Sequence, residues 1–167
     1  MQEVADTVQI TKKTLFNRYV SKENLERCLI DYWQIKSCER MERRMEFANN
    51  AVEKLMMFLF DLQYCRNNEF HFFQKAKKRF FENSEQKSSL FITQLGSIFN
   101  MGGKEELFQF ESEPKVFAYF FLFNVLFILL KDTLINTDYI PFLLSPILTE
   151  SGKMVFKEIN IEQVFKS

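Results

Sequence analysis

The sequence predicts an all-α fold in which a short helix-turn-helix head, incomplete on its N-terminal side, precedes a larger helical bundle. Three observations support this prediction. The 167 residues include only 4 glycines and 3 prolines, so few residues interrupt helices. Apolar residues recur at spacings of three and four along most of the chain, which is the periodicity of one helix face. Near the N-terminus, two short helical segments flank a tight break at Val8–Ile10.

Composition and charge limit the classes of function. A hydrophobic fraction of 47% with 26% charged residues is typical of a folded domain. The formal net charge is zero, so any attraction to nucleic acid has to come from a local patch. Cys28, Cys38 and Cys65 are odd in number and form no CxxC motif, which favours neither a disulfide framework nor a zinc site. Because the N-terminus also lacks a signal-peptide pattern, we expect a reducing, cytoplasmic location.

The head consists of helices predicted at Glu3–Thr7 and Thr11–Arg18, and a third helix begins at Ser21. Thr11 and Ser21 are expected N-caps, because a hydroxyl can accept a hydrogen bond from an amide of the first turn. The segment Thr11–Lys22 carries basic residues and no acidic residue. Since the second helix of such a unit enters the DNA major groove, this segment predicts a DNA-binding surface. The candidate DNA-contacting residues are Thr11, Lys12, Lys13, Thr14, Phe16, Asn17, Arg18 and Lys22.

The same stretch resembles the DNA-binding motif of TetR-family transcriptional regulators. The residues that match are Val4-Ala5, Ile10-Thr11, Thr14-Leu15-Phe16, Tyr19, Ser21-Lys22-Glu23 and Leu25. The resemblance spans only the first seventh of the chain and departs from the family pattern at two positions. Gln9 stands where a turn glycine is usual, so it carries strain if the turn needs a positive φ. Lys13 stands where a small residue is common and adds charge to the second helix.

The resemblance also implies a further helix ahead of this motif, which in the family packs across the other two. Here Met1 falls where the second family helix should begin. Without the first helix, Val4, Leu15 and Tyr19 have too little to bury against, and so small a unit is marginal alone. We expect the start of the chain to be misplaced or artificially shortened. The alternative is a helical homodimer that binds a ligand but does not bind DNA.

The predicted domains are residues 1–36, the head with the start of a linker helix, and residues 37–167, the helical body. The linker helix is expected to run from Ser21 to about Ser37. Amphipathic patterns predict body helices over 47–62, 70–81 and 90–99. Breaks are expected at Asn67-Asn68 and before Gly102-Gly103, with Ser84 as the cap of the third body helix. Pro114 should begin the next helix, and a last one should start near Pro146 and pass Met154, Val155 and Ile159.

Phenylalanine is unusually frequent, at 21 residues, and the body helices are rich in it. By resemblance to the family, a small apolar or aromatic effector is expected to bind among these helices. Most individual rings are expected to fill the core instead. The candidate effector-pocket residues are Phe58, Leu62, Tyr64, Phe73, Phe91, Leu95, Tyr119 and Asn124.

The run 116–130 contains no charged residue. It is shorter than the roughly 20 apolar residues that a membrane span needs, so a buried helix is the better interpretation and no membrane partner is expected. A helix that is apolar all round has to be covered on all sides, and a second chain can supply part of that cover. The resembling family dimerises through its last two long helices. The candidate dimer-interface residues are Phe120, Phe123, Phe127, Leu130, Ile147 and Val155.

The sequence does not predict an enzyme. It contains one histidine, no nucleophile with a recognisable base, no paired carboxylates in an apolar setting and no glycine-rich phosphate loop. No metal-ligand spacing surrounds His71, and no metal or cofactor is expected. The basic run Lys77-Lys78-Arg79 is interpreted as a solvated helix face. The expected partners are a palindromic double-stranded DNA site, a second copy of the chain and an effector of unknown identity.

Overall fold

The computed structural model describes residues 2–82, 90–130 and 139–160. Its regular structure in these ranges is α-helical, apart from one isolated β-bridge between Phe108 and Leu148, and the predicted all-α class is confirmed. The helices are α1 (Gln2–Thr7), α2 (Lys12–Tyr19), α3 (Lys22–Met45), α4 (Ala51–Asn68), α5 (Phe70–Glu82), α6 (Leu90–Lys104), α7 (Pro114–Leu130), α8 (Tyr139–Leu144) and α9 (Glu150–Glu158).

The described residues form two hydrophobic clusters. The smaller one consists of Ala5, Leu15 and Leu25, contributed by α1, α2 and the start of α3, with Tyr19 packed against it. Leu15 is only 3% exposed, so the expectation that it would have too few residues to pack against is wrong. The reason is that Leu25, from the first turns of α3, closes the third side of the cluster. The larger cluster lies among α3 to α9, where α4 contacts α3, α6 and α9.

Helix α3 belongs to both clusters. It runs without a break for 24 residues, past the expected end at Ser37 and across the predicted domain boundary after residue 36. Leu25 packs in the small cluster, whereas Trp33 and Met41 pack in the large one. The two parts of the protein are therefore joined by a continuous helix.

Helix α4 begins at Ala51, so the prediction that it starts at Phe47 is wrong. Asn50 caps the helix by accepting a hydrogen bond from the Glu53 amide at 2.9 Å. The Glu53 carboxylate in turn accepts from the Asn49 amide at 2.7 Å. These reciprocal bonds satisfy amide groups that a helix start leaves unpaired. Phe47 remains 81% exposed in the preceding turn, whereas the expected end at Asn67-Asn68 is confirmed.

Helix α6 continues through Gly102 and Gly103 to Lys104, so the predicted break before this pair is wrong. A Cβ atom at Gly102 would lie 2.0 Å from Cδ2 of Phe108, whose ring occupies the space of the missing side chain. The chain then turns back at Glu106, which has a φ of 56°. Gly102 is therefore needed for close packing and does not end the helix.

The C-terminal prediction also needs correction, because no helix of the described residues starts at Pro146. Helix α9 begins at Glu150, where the Thr149 hydroxyl accepts a hydrogen bond from the Gly152 amide at 3.0 Å. Gly152 faces the carbonyl oxygen of Leu107, which a Cβ atom would approach to 2.1 Å. The expected cap Ser84 lies outside the described residues.

The predicted start of a helix at Pro114 is confirmed by α7. Within the described ranges, the structure contains no helix with the length and apolar character needed to cross a membrane.

Replacing each glycine of the α6 pair by alanine should have opposite effects. Gly102→Ala should lower the free energy of unfolding by about 1–3 kcal/mol, because the new methyl group overlaps the Phe108 ring. Gly103→Ala should raise it by about 0.5–1 kcal/mol, because only the far end of Phe110 lies near, at 3.9 Å, and alanine favours the helix. Urea denaturation followed by circular dichroism measures the free energy of unfolding of both variants. A change of the same sign and size in the two variants would contradict the assigned packing.

Candidate nucleic-acid interface

Helix α2 presents almost all of its surface to solvent. Leu15 is its only buried residue, and it holds the helix against α1 and α3. The candidate DNA-contacting residues Thr11, Lys12, Lys13, Thr14, Phe16, Asn17, Arg18 and Lys22 are all exposed. One anchored and otherwise exposed helix therefore carries all of these candidates, apart from the cap residue Thr11 before it and Lys22 after it.

The turn before α2 is held by backbone hydrogen bonds that close α1. The Ile10 amide donates to the Ala5 carbonyl at 3.0 Å, and the Gln9 amide donates to the Asp6 carbonyl at 3.2 Å. This pair of bonds forms a Schellman motif, which requires a left-handed residue at the position of Gln9. Gln9 has a φ of 55°, so the expected strain at this turn residue is present.

The turn after α2 is tighter still. Val20 has φ 65° and ψ −48°, and the Ser21 amide donates to the Tyr19 carbonyl at 2.6 Å. This is a γ-turn with positive φ, a strained conformation that a β-branched residue rarely adopts. The Asn24 side chain also donates to the Tyr19 carbonyl, at 2.9 Å. The orientation of α2 relative to α3 is therefore defined over very few residues.

Both expected N-caps are confirmed. The Thr11 hydroxyl accepts a hydrogen bond from the Thr14 amide at 3.0 Å, and its oxygen lies 2.8 Å from the Thr14 hydroxyl. The Ser21 hydroxyl accepts a hydrogen bond from the Asn24 amide at 3.1 Å. These bonds satisfy amides at the N-termini of α2 and α3.

The basic side chains of this region differ from those of the body in their partners. Among the described residues, no ion pair involves Lys12, Lys13, Arg18 or Lys22; Arg18 lies over the Tyr19 ring at 5.8 Å. In the body, by contrast, Arg40 pairs with Glu69, Arg44 with Asp61, Lys75 with Glu26 and Arg79 with Asp31. The segment Thr11–Lys22 therefore carries four basic side chains, no acidic residue and no ion pair among the described residues.

Helix α3, against which α2 packs, is attached to the body at Trp33. The Trp33 indole donates to Glu69 Oε2 at 2.6 Å, and Arg40 pairs with Glu69 Oε1 at 2.9 Å. The Trp33 ring stacks on Phe72 and meets Phe91 edge-on. Burial raises the pKa of the Glu69 carboxyl, but the hydrogen bonds from Arg40 and Trp33 outweigh it and hold the pKa below its usual value. Sequence reasoning missed this network because its members are 29 and 36 residues apart.

The candidate effector-pocket residues do not surround one open pocket. Leu62, Phe73 and Phe91 line a cavity of about 20 Å³ between α3, α4, α5, α6 and α7, which has room for about one water molecule. Phe58 and Leu95 are fully buried in the core. Tyr64 and Asn124 are exposed and do not line this cavity. The Tyr64 ring packs against Arg40, and the Asn124 amide donates to the Phe120 carbonyl at 2.8 Å. Tyr119 is half-buried and packs against Phe80.

The candidate dimer-interface residues separate into two groups. Phe120, Phe123 and Phe127 are exposed on one face of α7, on which Val116 is also exposed. Ile147 is buried, and Val155 is half-buried against the core, so these two pack within the monomer. Ile147 lies in the turn between α8 and α9, and Val155 lies on the side of α9 that packs against the core. The side chain of Leu130 lies outside the described part of the structure.

The thiols and the histidine have no arrangement that binds metal. No group of three potential metal ligands occurs in the described ranges. Burial raises the pKa of both Cys38 and Cys65 to about 12, so these thiols stay protonated and unreactive. His71 lies on the surface and meets the Phe72 ring edge-on.

Acidification should release Trp33 from Glu69. The pKa of Glu69 in the folded protein is below its ordinary value of 4.5, so its stabilising contribution is complete above that pH and is lost as the pH falls through the lowered pKa. Trp33 is the only tryptophan, so its emission should report this step. Glu69→Gln should remove the transition, whereas Glu39→Gln, on the exposed side of α3, should retain it. An unchanged acid transition in Glu69→Gln would contradict the assignment.

Comparison with known proteins identifies no relative. No protein-family model matches the chain, and no curated protein or solved structure matches it significantly. The function is therefore inferred from the residues and geometry of the chain itself.

Proposed function

We propose that this protein is a DNA-binding transcriptional regulator of the helix-turn-helix type, acting as a repressor and similar to the TetR-family regulators that its N-terminal stretch resembles. The observation that carries the proposal is the surface of α2. That helix is held by buried Leu15 and half-buried Tyr19 and is bounded by turns at Gln9 and Val20. The basic side chains on it and beside it have no ion-pair partners among the described residues.

The side chains on this surface suit the chemistry of a major groove. Lysine and asparagine can hydrogen-bond base edges, and a threonine methyl group or an aromatic edge can contact a thymine methyl. In the proposal, Lys12, Lys13 and Asn17 contact bases, while Arg18 and Lys22 hold phosphates. The exposed ring of Phe16, on the same helix, supplies the apolar contact.

A homodimer would present two such helices to a palindromic site about 34 Å, or one DNA turn, apart. The exposed face of α7 supports this assembly. Val116, Phe120, Phe123 and Phe127 follow one another at spacings of three and four, and each is at least 40% exposed. A continuous apolar helix face of this kind marks a protein interface, and an identical face on a second copy is self-complementary across a two-fold axis.

Effector control would act through α5. Phe73 and Phe80 of α5 close the small cavity against Trp33 of α3, and a small-molecule site needs roughly 300 Å³ or more. An apolar or aromatic effector would therefore fit in this cavity only if α5 moved away from α3. Lys75 and Arg79 join α5 to Glu26 and Asp31, near the head end of α3. Such a movement would displace the helix that carries the head, and an effector preferring that state would lower DNA affinity.

A second candidate function is a ligand-binding helical dimer that does not bind DNA. The observation in its favour is the size of the head cluster, whose buried apolar residues among the described side chains are Ala5, Leu15 and Leu25. Val8, Ile10 and Val20 remain exposed around it. A cluster this small contributes little stability of its own.

The first test is DNA binding. Selection from a randomised duplex library should enrich a palindromic sequence whose affinity falls steeply with salt. In fluorescence anisotropy, Lys13→Ala should weaken binding, and Asn17→Ala should cost about 1–3 kcal/mol and relax base preference at one position. Arg18→Ala should weaken all sequences alike and reduce the salt slope by about one. Lys153→Ala, in the exposed Lys153–Glu150 pair of α9, is the control and should bind normally. If no sequence is enriched, the second candidate is favoured.

The second test is the oligomeric state. Phe120→Glu, in the centre of the exposed α7 face, should shift the protein from dimer to monomer, because a dimer would bury the new carboxylate without a partner. Phe47→Glu is the matched control, since Phe47 is 81% exposed in the turn before α4 and should have no effect. Sedimentation velocity measures both. A monomeric wild-type protein at micromolar concentration, or a dimeric Phe120→Glu variant, would refute this interface.

A further inference from the structure

We propose that the cleft between α3, α4 and α6 binds a small organic amine with an apolar body, in its protonated form. The cleft has a volume of about 400 Å³, within the range of small-molecule sites. It is separate from the small cavity behind Trp33 and from the DNA-facing surface of α2. The proposal does not depend on DNA binding.

The cleft combines an anionic wall with an apolar floor. Glu42 and Glu46, one helical turn apart on α3, supply two exposed carboxylates. Met45, Ile98 and Met101 line the floor, where the first two are buried and the third is half-buried. A charged ammonium group would meet the carboxylates while a short hydrocarbon or aryl group covered the sulfur and methyl groups below.

Gln94 gives a second and independent indication of a ligand. It lines the cleft and is only 9% exposed. Its Nε2 donates to the Cys38 carbonyl at 2.9 Å and to Glu42 Oε1 at 3.1 Å, which fixes the amide and orients the Glu42 carboxylate. Its Oε1 is buried and accepts no hydrogen bond from the described residues. A buried acceptor left unpaired is unfavourable, and an N–H donor from a ligand would satisfy it.

The charges select a cation over other ligands. Lys54 is the basic residue of the lining, facing two carboxylates, so the cleft carries a negative balance. An ammonium group carries up to three hydrogen-bond donors, which suits a site that offers two carboxylates and an amide oxygen. A carboxylate ligand would be repelled by the anionic wall, and a neutral alcohol would forgo the charge-assisted hydrogen bonds.

Isothermal titration of the full chain with 2-phenylethylamine, and with 2-phenylethanol as the neutral isostere, tests the proposal. The amine should bind with one-to-one stoichiometry and at least about tenfold more tightly than the alcohol. Glu46→Gln should weaken amine binding by about tenfold, whereas Lys54→Gln should strengthen it by removing a like charge. Glu39→Gln removes a carboxylate of the same helix that pairs with Lys36 outside the cleft, and it should leave binding unchanged.

Three results would overturn the proposal. The first is equal affinity for the amine and the alcohol. The second is no binding of either compound at millimolar concentration by a protein whose far-ultraviolet circular dichroism shows that it is folded. Weaker amine binding in Lys54→Gln would instead indicate a ligand group that Lys54 attracts. Each experiment measures binding of the amine directly. A failure of the proposed DNA binding would therefore not change how these results are read.

Discussion

The attachment of α3 to the body is the constraint on which the arrangement of the molecule depends. Trp33 lies between Phe72 and Phe91 and donates a hydrogen bond to Glu69, which also holds Arg40. A 24-residue helix held at this point carries the first turns that pack against Leu15. The direction of α2 therefore follows from how α3 sits on α4, α5 and α6, and any change at that contact reaches the head through a continuous helix.

The abundance of phenylalanine is used in two ways on opposite faces of α7. On the inner side, Phe99 of α6 meets Phe117 and Phe121 edge-on at 4.9 and 5.3 Å between ring centroids. Such packing fills the space between the two helices, and the cavity behind Trp33 has a volume of only about 20 Å³. On the outer side, Phe120, Phe123 and Phe127 remain exposed. The sequence pattern of α7 predicted a helix covered all round, but the described residues leave Phe120, Phe123 and Phe127 exposed.

Charge is distributed as unevenly as the aromatic residues. Arg44 pairs with Asp61, whose carboxylate is buried, and burial raises the pKa of that carboxyl against the effect of Arg44. Other ion pairs of the body engage Arg40, Lys75 and Arg79. The exposed basic groups of α2 have no such partners among the described residues. The zero net charge of the chain therefore conceals local differences, namely a basic segment without acidic residues at Thr11–Lys22 and a cleft beside Gln94 that is lined by two carboxylates and one lysine.

The sequence by itself determined the elements whose signals are local. The caps at Thr11 and Ser21, the bounds of α5, the start of α7 at Pro114 and the exposed character of α2 follow from residues within one or two turns of each other. Only the tertiary structure decided the role of Gly102, the closing of the aromatic cavity and the anchoring of Trp33. In each case the deciding contact comes from outside the helix whose pattern was read. Phe108 folds back over Gly102, and Glu69 reaches Trp33 from 36 residues away. A helix pattern records which face is apolar, but not which neighbour fills the space beside it.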